Sequence, residues 1–503
     1  MESDITILVL ALGVIIFAIL FFTMWRRKNK VHADKKELEA SYEELEDSYE
    51  VLSNQEKELM NLYDKSRQNE ERLRKLAFVD TLTELPNRDA IVDEINEILK
   101  SMRPEDQIAL MYLDVDNLKE VNDTLGYTYG DELLIDITYR IKQSLAENDL
   151  MARISGDEFV ILSKDITDFS EYDEKIKKIM TVFNYPFSLA EKDYFVNMDI
   201  GVCKLEKEIK NAATAIKYAN AAMDQAREIG KGQYYYFNEE LKTKLMEQIQ
   251  MQADVRTAFE KNEFFAVYQP VLDVQEHKVI GFESLLRWDH GEEGILSPGD
   301  FLEAAIESGI IVPLGISFLK KACKALSEWQ KKGYSDLVLM VNLSERQLLD
   351  YDVVFDIDLI LKESKVAPEK LIFDISEISF ESNEQLVVQR IKELRELGVG
   401  ICLDNFGSKK GALNRILESR FDFIKFDRSL LQSLATDEKH ALFIKELGSL
   451  FETLDCTVIY EGIEEPEQLE KVEDFTSKLV QGFLFGNPLK EAEVMGYLET
   501  WMK

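Results

Sequence analysis

The second half of the chain carries eight short apolar runs, each ending on a polar residue. Phe264–Tyr268 ends at Gln269, Val279–Phe282 at Glu283, Leu337–Val341 at Asn342 and Leu371–Phe373 at Asp374. Val399–Leu403 ends at Asp404, Phe421–Ile424 at Lys425, Val458–Tyr460 at Glu461 and Leu479–Val480 at Gln481. Amphipathic helical stretches separate them. Strand-length runs alternating with helices predict a (βα)8-type barrel, in which the strand ends converge on one face. One acid at a strand end is usually a turn or a cap. A ring of them is hard to explain that way, because buried charges need partners.

The first half has a different pattern. Met151–Ile161 reads as two apolar strands joined by a tight turn that carries Asp157 and Glu158, and Asp114 ends the apolar run from Ile108. Exposed acids at such a turn are common and usually only solvated. A strand-end Asp facing a hairpin-tip Asp-Glu can instead hold magnesium, which favours oxygen ligands and leaves room for substrate phosphates. That arrangement suits attack on a nucleoside triphosphate.

Residues 5–25 are apolar apart from two threonines, long enough to span a bilayer as a helix. Arg26-Arg27-Lys28-Asn29-Lys30 follows at once. Positive flanks stay cytoplasmic, which places the N-terminus outside the inner cell membrane and everything after residue 26 in the cytoplasm. A cleaved signal peptide would need a basic start, and this chain opens Met1-Glu2-Ser3-Asp4. So short an outside portion leaves no extracellular sensor to expect. Over 31–76, Leu38, Leu45, Leu52 and Leu59 repeat every seven residues, with Leu73 in phase and Tyr42, Tyr49 and Tyr63 on the second seam position. The heptad predicts a coiled coil and a homodimer; the plainer reading is a single solvated helix.

A net charge of −35 argues against nucleic acid as a partner, since phosphate backbones need a basic face. With 503 residues and 46% hydrophobic content, the chain can form several cores. Cys203, Cys323, Cys402 and Cys456 are scattered and read as small core residues of a reducing compartment.

Several spaced motifs in 77–238 resemble GGDEF domains, the diguanylate cyclases. Ser155-Gly-Asp-Glu-Phe159 is similar to the signature, with Ser155 for its first Gly. Asp80-Thr-Leu-Thr-Glu-Leu-Pro-Asn-Arg88 resembles D-x-L-T-G-L-x-N-R with Glu84 for Gly, and Asp114-Val-Asp-Asn-Leu-Lys119 resembles D-x-D-x-F-K. Asn122-Asp123 and Gly130-Asp131 match N-D and G-D, with Tyr127 where His is usual. The resemblance implies an α+β palm-like domain that joins two GTP molecules into cyclic di-GMP with Mg2+ or Mn2+. Each GTP is held by one domain of a dimer, so a parallel coiled coil would raise the local concentration of the second domain. It further implies that Asp114, the Val115 carbonyl, Asp157 and Glu158 hold metal, with Glu158 as ligand or proton acceptor. Asn122 and Asp131 would read guanine, and Lys119, Arg227 and Lys231 would meet phosphates. Arg227 and Lys231 stand where the family has Lys and Arg; alone they read as an ordinary basic helix end. Ala146 replaces the Arg of the family's R-x-x-D product-inhibition site, while Asp149 remains.

After a connecting helix at 239–260, residues 261–503 resemble EAL domains, the cyclic di-GMP phosphodiesterases. The matching stretches are Tyr268-Gln-Pro270, Glu283-Ser-Leu-Leu-Arg-Trp288, Asn342-Leu-Ser344, Asp404-Asn-Phe-Gly407, Ile424-Lys-Phe-Asp427, Glu461-Gly-Ile-Glu464 and Gln481-Gly482. Family enzymes use two divalent cations to activate a water that opens the cyclic dinucleotide. The resemblance implies that Glu283, Asn342, Asp374 and Asp404 hold one metal, and Glu461 and residue 405 help hold the second. Lys425 would orient the water, and Arg287 and Gln481 would meet ligand. Asp374 replaces a Glu and is shorter by one C–C bond, ~1.5 Å. Asn405 replaces an Asp and removes a charge. Gly407-Ser-Lys-Lys-Gly411 departs from the family loop and brings two cations near the site, whereas Glu377, the loop-supporting acid, is kept.

The chain is therefore expected to be an α/β multidomain protein: transmembrane helix, coiled coil, GGDEF domain and EAL barrel. The favoured activity is synthesis of cyclic di-GMP, with a barrel that binds it and hydrolyses it weakly or not at all. One alternative is a catalytically inactive receptor of GTP or cyclic di-GMP that signals through an unidentified protein partner. A third is an active phosphodiesterase regulated by GTP.

Overall fold

The computed structural model describes residues 2–103, 105–164, 166, 169–380, 384–407, 419–434 and 436–501. They form two compact units, Met1–Lys242 and Thr243–Lys503. The first begins with one unbroken helix, Glu2–Phe78. Its 77 residues carry the apolar stretch and the heptad without a break. Leu38, Leu45, Leu52 and Leu59 are 58–69% exposed, so on a single chain the seam has no cover.

Beyond it lies a five-stranded sheet in the order Leu150–Ser155, Glu158–Ser163, Ala109–Val115, Met198–Lys204, Tyr234–Tyr236. The central strand is apolar up to Asp114 because helices cover both sides. Ala109, Met111 and Leu113 enter a core with Leu133, Ile137 and Ile176. Leu110 and Tyr112 enter a second core with Ile91, Ile95 and Ala219. This is the two-residue alternation of a strand buried on both faces. The alanine-rich helix Ala212–Ile229 rests directly on Gly201, where a Cβ would lie 1.9 Å from the Ala219 carbonyl oxygen.

The second unit starts with helix Glu239–Lys261, which begins just ahead of it, and closes into an eight-stranded barrel. Its strands are Phe264–Asp273, Lys278–Asp289, Val338–Asn342, Leu371–Ser376, Gly400–Phe406, Phe423–Phe426, Thr457–Tyr460 and Leu479–Val480. One expectation needs correcting. The first strand runs antiparallel to both of its neighbours, and Gln269 and Glu283 lie mid-strand, not at strand ends; Gln269 still joins the ring, facing Glu283 and accepting from Gln481 at 3.3 Å. The cause of the reversal is the short link Val274–His277, since a parallel crossover needs a dozen or more residues. The remaining neighbours pair in parallel.

The barrel interior explains the placement of the polar ring. Val271, Met340, Ile372, Cys402 and Ile459 form an apolar plug. Side chains alternate, so two residues further on the next inward layer receives Asn342, Asp374, Asp404 and Glu461. The four cysteines are buried and free.

Candidate functional sites

In the sheet, Asp114 stands opposite Glu158 on one side and Asp199 on the other. The Ser155–Glu158 turn is fastened to it by the Val115 N–H, which donates to the Asp157 carbonyl at 3.2 Å. Gly156 takes φ +44°, a conformation Gly adopts without strain. The Ser155 hydroxyl donates to Glu158, so the residue that replaces Gly engages one of the candidate acids. Arg153 braces the turn from behind, donating to the Gly156 carbonyl at 2.7 and 3.0 Å and to Asp80 at 3.1 Å.

Arg227 lies across the acids. Its Nη2 is 2.6 Å from Asp114 Oδ1 and its Nε is 3.7 Å from Asp199 Oδ2. Burial pushes the Asp114 carboxyl up, Arg227 opposes this, and the Asp157 and Glu158 charges add to the rise. Lys231 reaches Asp116 at 3.1 Å and Asn117 at 3.4 Å. Asn122 lies over Gly130, where a Cβ would come within 2.0 Å of its Oδ1, and that oxygen is buried without a hydrogen-bond partner. Asp131, beside Gly130, is exposed, as is Lys119 on the Asn122 helix Leu118–Leu125. Asp149 is held by Lys175 at 2.7 Å and by the Ala146 N–H at 2.8 Å.

In the barrel, Lys425 is fully buried. Its ammonium lies 2.7 Å from Asp374, 2.9 Å from Glu283 and 3.3 Å from Glu461. Glu283 also accepts from Asn342 at 2.6 Å and from Gln481 at 2.7 Å. Burial raises every carboxyl here. At Glu283 the Lys425 charge and these hydrogen bonds outweigh burial, and its pKa falls. At Asp374, Asp404 and Glu461 burial and neighbouring acids win, and theirs rise. Asn405 Nδ2 donates to Asp404 Oδ2 at 2.7 Å. Half-buried Arg287 feels the Glu283 charge but gives its hydrogen bond to the Leu286 carbonyl. Glu377 is buried just after the Asp374 strand. Ser408 to Gly411, the end of the divergent loop, lie outside the described residues. A cleft of about 200 Å³ opens beside Glu461 and Gln481, lined also by Gln269, Arg428 and Phe483.

Against this geometry, the family model described as "Diguanylate cyclase, GGDEF domain" matches residues 77–233, and the EAL domain model matches residues 252–488. The chain is a tandem GGDEF–EAL protein. It is similar to the Pseudomonas aeruginosa bifunctional diguanylate cyclase/cyclic di-GMP phosphodiesterase MucR, 30% identical over 84% of this chain and 61% of that protein. It is also similar to the Escherichia coli cyclic di-GMP phosphodiesterase PdeR, 29% identical over 87% of this chain and 66% of that protein. It thus spans less than two thirds of the length of these curated relatives. A solved Vibrio cholerae LapD S helix-GGDEF-EAL structure bound to c-di-GMP shares the fold, with TM-score 0.50 and 19% identity, covering 84% of this chain and 99% of that one.

GGDEF and EAL enzymes generally use divalent metals. Among the described residues, no three acid, His or Cys side chains stand together ready to hold an ion; in each half a basic side chain lies between the acids. The donors nevertheless fit Mg2+ or Mn2+. They are hard oxygens, and the barrel has four carboxylates around one ammonium. Asp374 Oδ1 is buried without a hydrogen-bond partner. The fit is weaker at residue 405, a neutral amide already bonded to Asp404. Two residues of the GGDEF half escape sequence reading, Asp116 and Asp199. Asp199 carries the same signal as Asp114, an acid at one end of an apolar run.

Proposed function

We propose that the chain is a membrane-anchored, dimeric cyclic di-GMP signalling protein. Its GGDEF half condenses two GTP molecules, and its EAL half binds cyclic di-GMP with weak or no hydrolysis. The observation that carries this reading is the contrast between the two internal cations. Arg227 is 45% exposed and can leave Asp114, whereas Lys425 is sealed among its acids and Asn405 occupies Asp404. Asp114, the Val115 carbonyl, Asp157 and Glu158 would hold Mg2+ or Mn2+, and so would Glu283, Asn342, Asp374, Asp404 and Glu461. Bound there, a divalent cation neutralises phosphate charge in one half and lowers the pKa of water in the other.

The chain's own groups do the rest. The buried Asn122 oxygen and Asp131 would accept from guanine N–H groups, and Lys119, Arg227 and Lys231 would orient phosphates. In the barrel, Lys425 would orient the water, while Arg287 and Gln481 would hold the dinucleotide. The apolar stretch would span the inner membrane once, with both domains in the cytoplasm and the heptad pairing two chains.

Two observations favour the receptor reading as the alternative: Arg227 on Asp114 and Ser155 on Glu158. The intact carboxylate ring around Lys425 favours the third reading, a phosphodiesterase regulated by GTP. Detergent-solubilised chain incubated with Mg2+ or Mn2+, and separately with GTP and with cyclic di-GMP, discriminates among them by chromatography of the products. Cyclic di-GMP from GTP supports the proposal. No product from either substrate supports the receptor, and rapid opening of the dinucleotide supports the phosphodiesterase.

A further inference from the structure

Asp199 faces Asp114 directly across neighbouring strands. Its side chain is 1% exposed, and its Oδ1 accepts from the Gln233 N–H at 3.1 Å. Its Oδ2 is buried without a hydrogen-bond partner, pointing at Arg227 Nε from 3.7 Å. A buried carboxylate oxygen left this way is costly. Two carboxylates therefore compete for one guanidinium, and in this state Asp114 holds the short contact at 2.6 Å.

The two acids differ in access. Asp199 is fixed from behind by the Gln233 backbone, whereas Asp114 is 17% exposed and has Asp157 and Glu158 beside it. A cation arriving at Asp114 meets the positive charge of Arg227, and the two repel. A shift of roughly 1 Å would bring Nε into hydrogen-bond range of Asp199, satisfying the orphan oxygen and freeing Asp114.

We infer that Asp199 is a positioning residue that receives the Arg227 guanidinium when a divalent cation takes Asp114. The residue keeps a cationic group beside the site while clearing it from the metal position. This rests on the proposed metal role of Asp114.

The test is a Mn2+ titration of the full chain in detergent, with free Mn2+ read by electron paramagnetic resonance. Asp114→Asn identifies the class of sites concerned. Asp199→Asn keeps an oxygen acceptor for Gln233 and is expected to weaken that class about fivefold, in the range of contacting, coupled residues. Arg227→Gln removes the competitor and is expected to tighten it by about the same factor. With Arg227 already replaced, Asp199→Asn should cost less than about twofold. Equal losses with and without Arg227 would show that Asp199 acts directly through its charge and would overturn the inference alone. So would Mn2+ binding that Arg227→Gln leaves unchanged or weaker, an arm that does not depend on the buried substitution folding. Retention of every Mn2+ site in Asp114→Asn would overturn the metal reading as well.

Discussion

Replacing Asn405 by Asp turns a hydrogen-bond donor into a like charge. Asn405 Nδ2 donates to Asp404 Oδ2 at 2.7 Å. The backbone there has φ 58°, a left-handed conformation in which Asp, like Asn, is among the tolerated residues. Asn405→Asp therefore changes charge with little backbone strain. Two ionised carboxylates about 4 Å apart repel by about 4 kcal/mol at an effective dielectric near 20. Losing the hydrogen bond adds about 1–3 kcal/mol. The protein escapes part of this by keeping one proton between the pair. Burial, then the Glu283 and Asp427 charges, already raise the Asp404 carboxyl against the pull of Lys425. Near pH 4, where the unfolded carboxyls also hold protons, the shared proton rebuilds the hydrogen bond, and the cost should be under ~1 kcal/mol. From the unfolded carboxylate value near 4 up to the pair's raised pKa the cost grows by ~1.4 kcal/mol per pH unit, and above that pKa it stays constant, at about 2–4 kcal/mol. Mn2+ at pH 8 should remove most of that penalty. Urea unfolding followed by tryptophan fluorescence reads the barrel, because Trp288, Trp329 and Trp501 all lie in its unit. An Asn405→Asp protein that loses no more stability than the unaltered chain between pH 4 and pH 8 without metal would refute the argument. So would one that Mn2+ stabilises no more than it does the unaltered chain. Combined with Asp374→Glu, the same change should raise cyclic di-GMP hydrolysis, with each substitution modest alone because paired metal sites act as a unit.

Asp157→Ala should abolish cyclic di-GMP synthesis by the full chain, which chromatography of the GTP reaction would show; synthesis at the unaltered rate would count against the hairpin as a metal site. Leu45→Lys with Leu52→Lys should shift the chain toward monomer in analytical ultracentrifugation, and an unchanged dimer would place the contact elsewhere. Stability of the metal-free barrel should fall as pH rises. Burial, offset in part by Lys425, leaves the Asp374 carboxyl pushed up to about 7 and that of Glu461 to about 8. Both exceed the unfolded carboxylate value near 4, so the native state binds more protons between about pH 4 and pH 8, and ionising these acids costs stability across that window. The urea midpoint of the tryptophan transition should therefore drop from pH 5.5 to pH 8 and recover with Mg2+. A midpoint that rises over the same range without metal would contradict the assignment of these two groups.

Much of the barrel is legible in the sequence. Strand alternation fixes which residues point inward, so the polar ring follows from counting two residues beyond Met340, Ile372, Cys402 and Ile459. The reversed first strand was also legible, in the short link Val274–His277, but a pattern of eight equal runs hides it. What sequence could not show is side-chain choice among near-equal partners. Arg227 can meet Asp114, Asp199 or a phosphate, and only the helix register over Gly201 decides which acids it reaches. Asn405 reads as a missing charge; its amide on Asp404 goes with the register shift between Leu403 and Phe406 in its strand.

Both halves meet the same physical problem, how a fold keeps clustered carboxylates together. Each answers with a basic side chain, and the answers differ in reversibility. Arg227 is nearly half exposed and makes one short contact, so water can take the guanidinium and a second acid stands ready to receive it. Lys425 has no exposure and three carboxylate partners, so removing it would strand buried charge at a cost of several kcal/mol, about 3–5 for breaking one buried pair. A cation entering the sheet site need only displace a surface residue. A cation entering the barrel must bind with Lys425 still in place, sharing its acids, and the carboxylates beyond those Lys425 neutralises set how much positive charge the ring can take. Asn405 withholds one such charge. The two halves should therefore differ in what replacement of the internal cation does: replacing Arg227 opens its site, whereas Lys425→Met should destabilise the metal-free barrel. If Lys425→Met leaves the urea midpoint of the tryptophan transition unchanged at pH 8, the ammonium does not hold the ring together and this distinction fails.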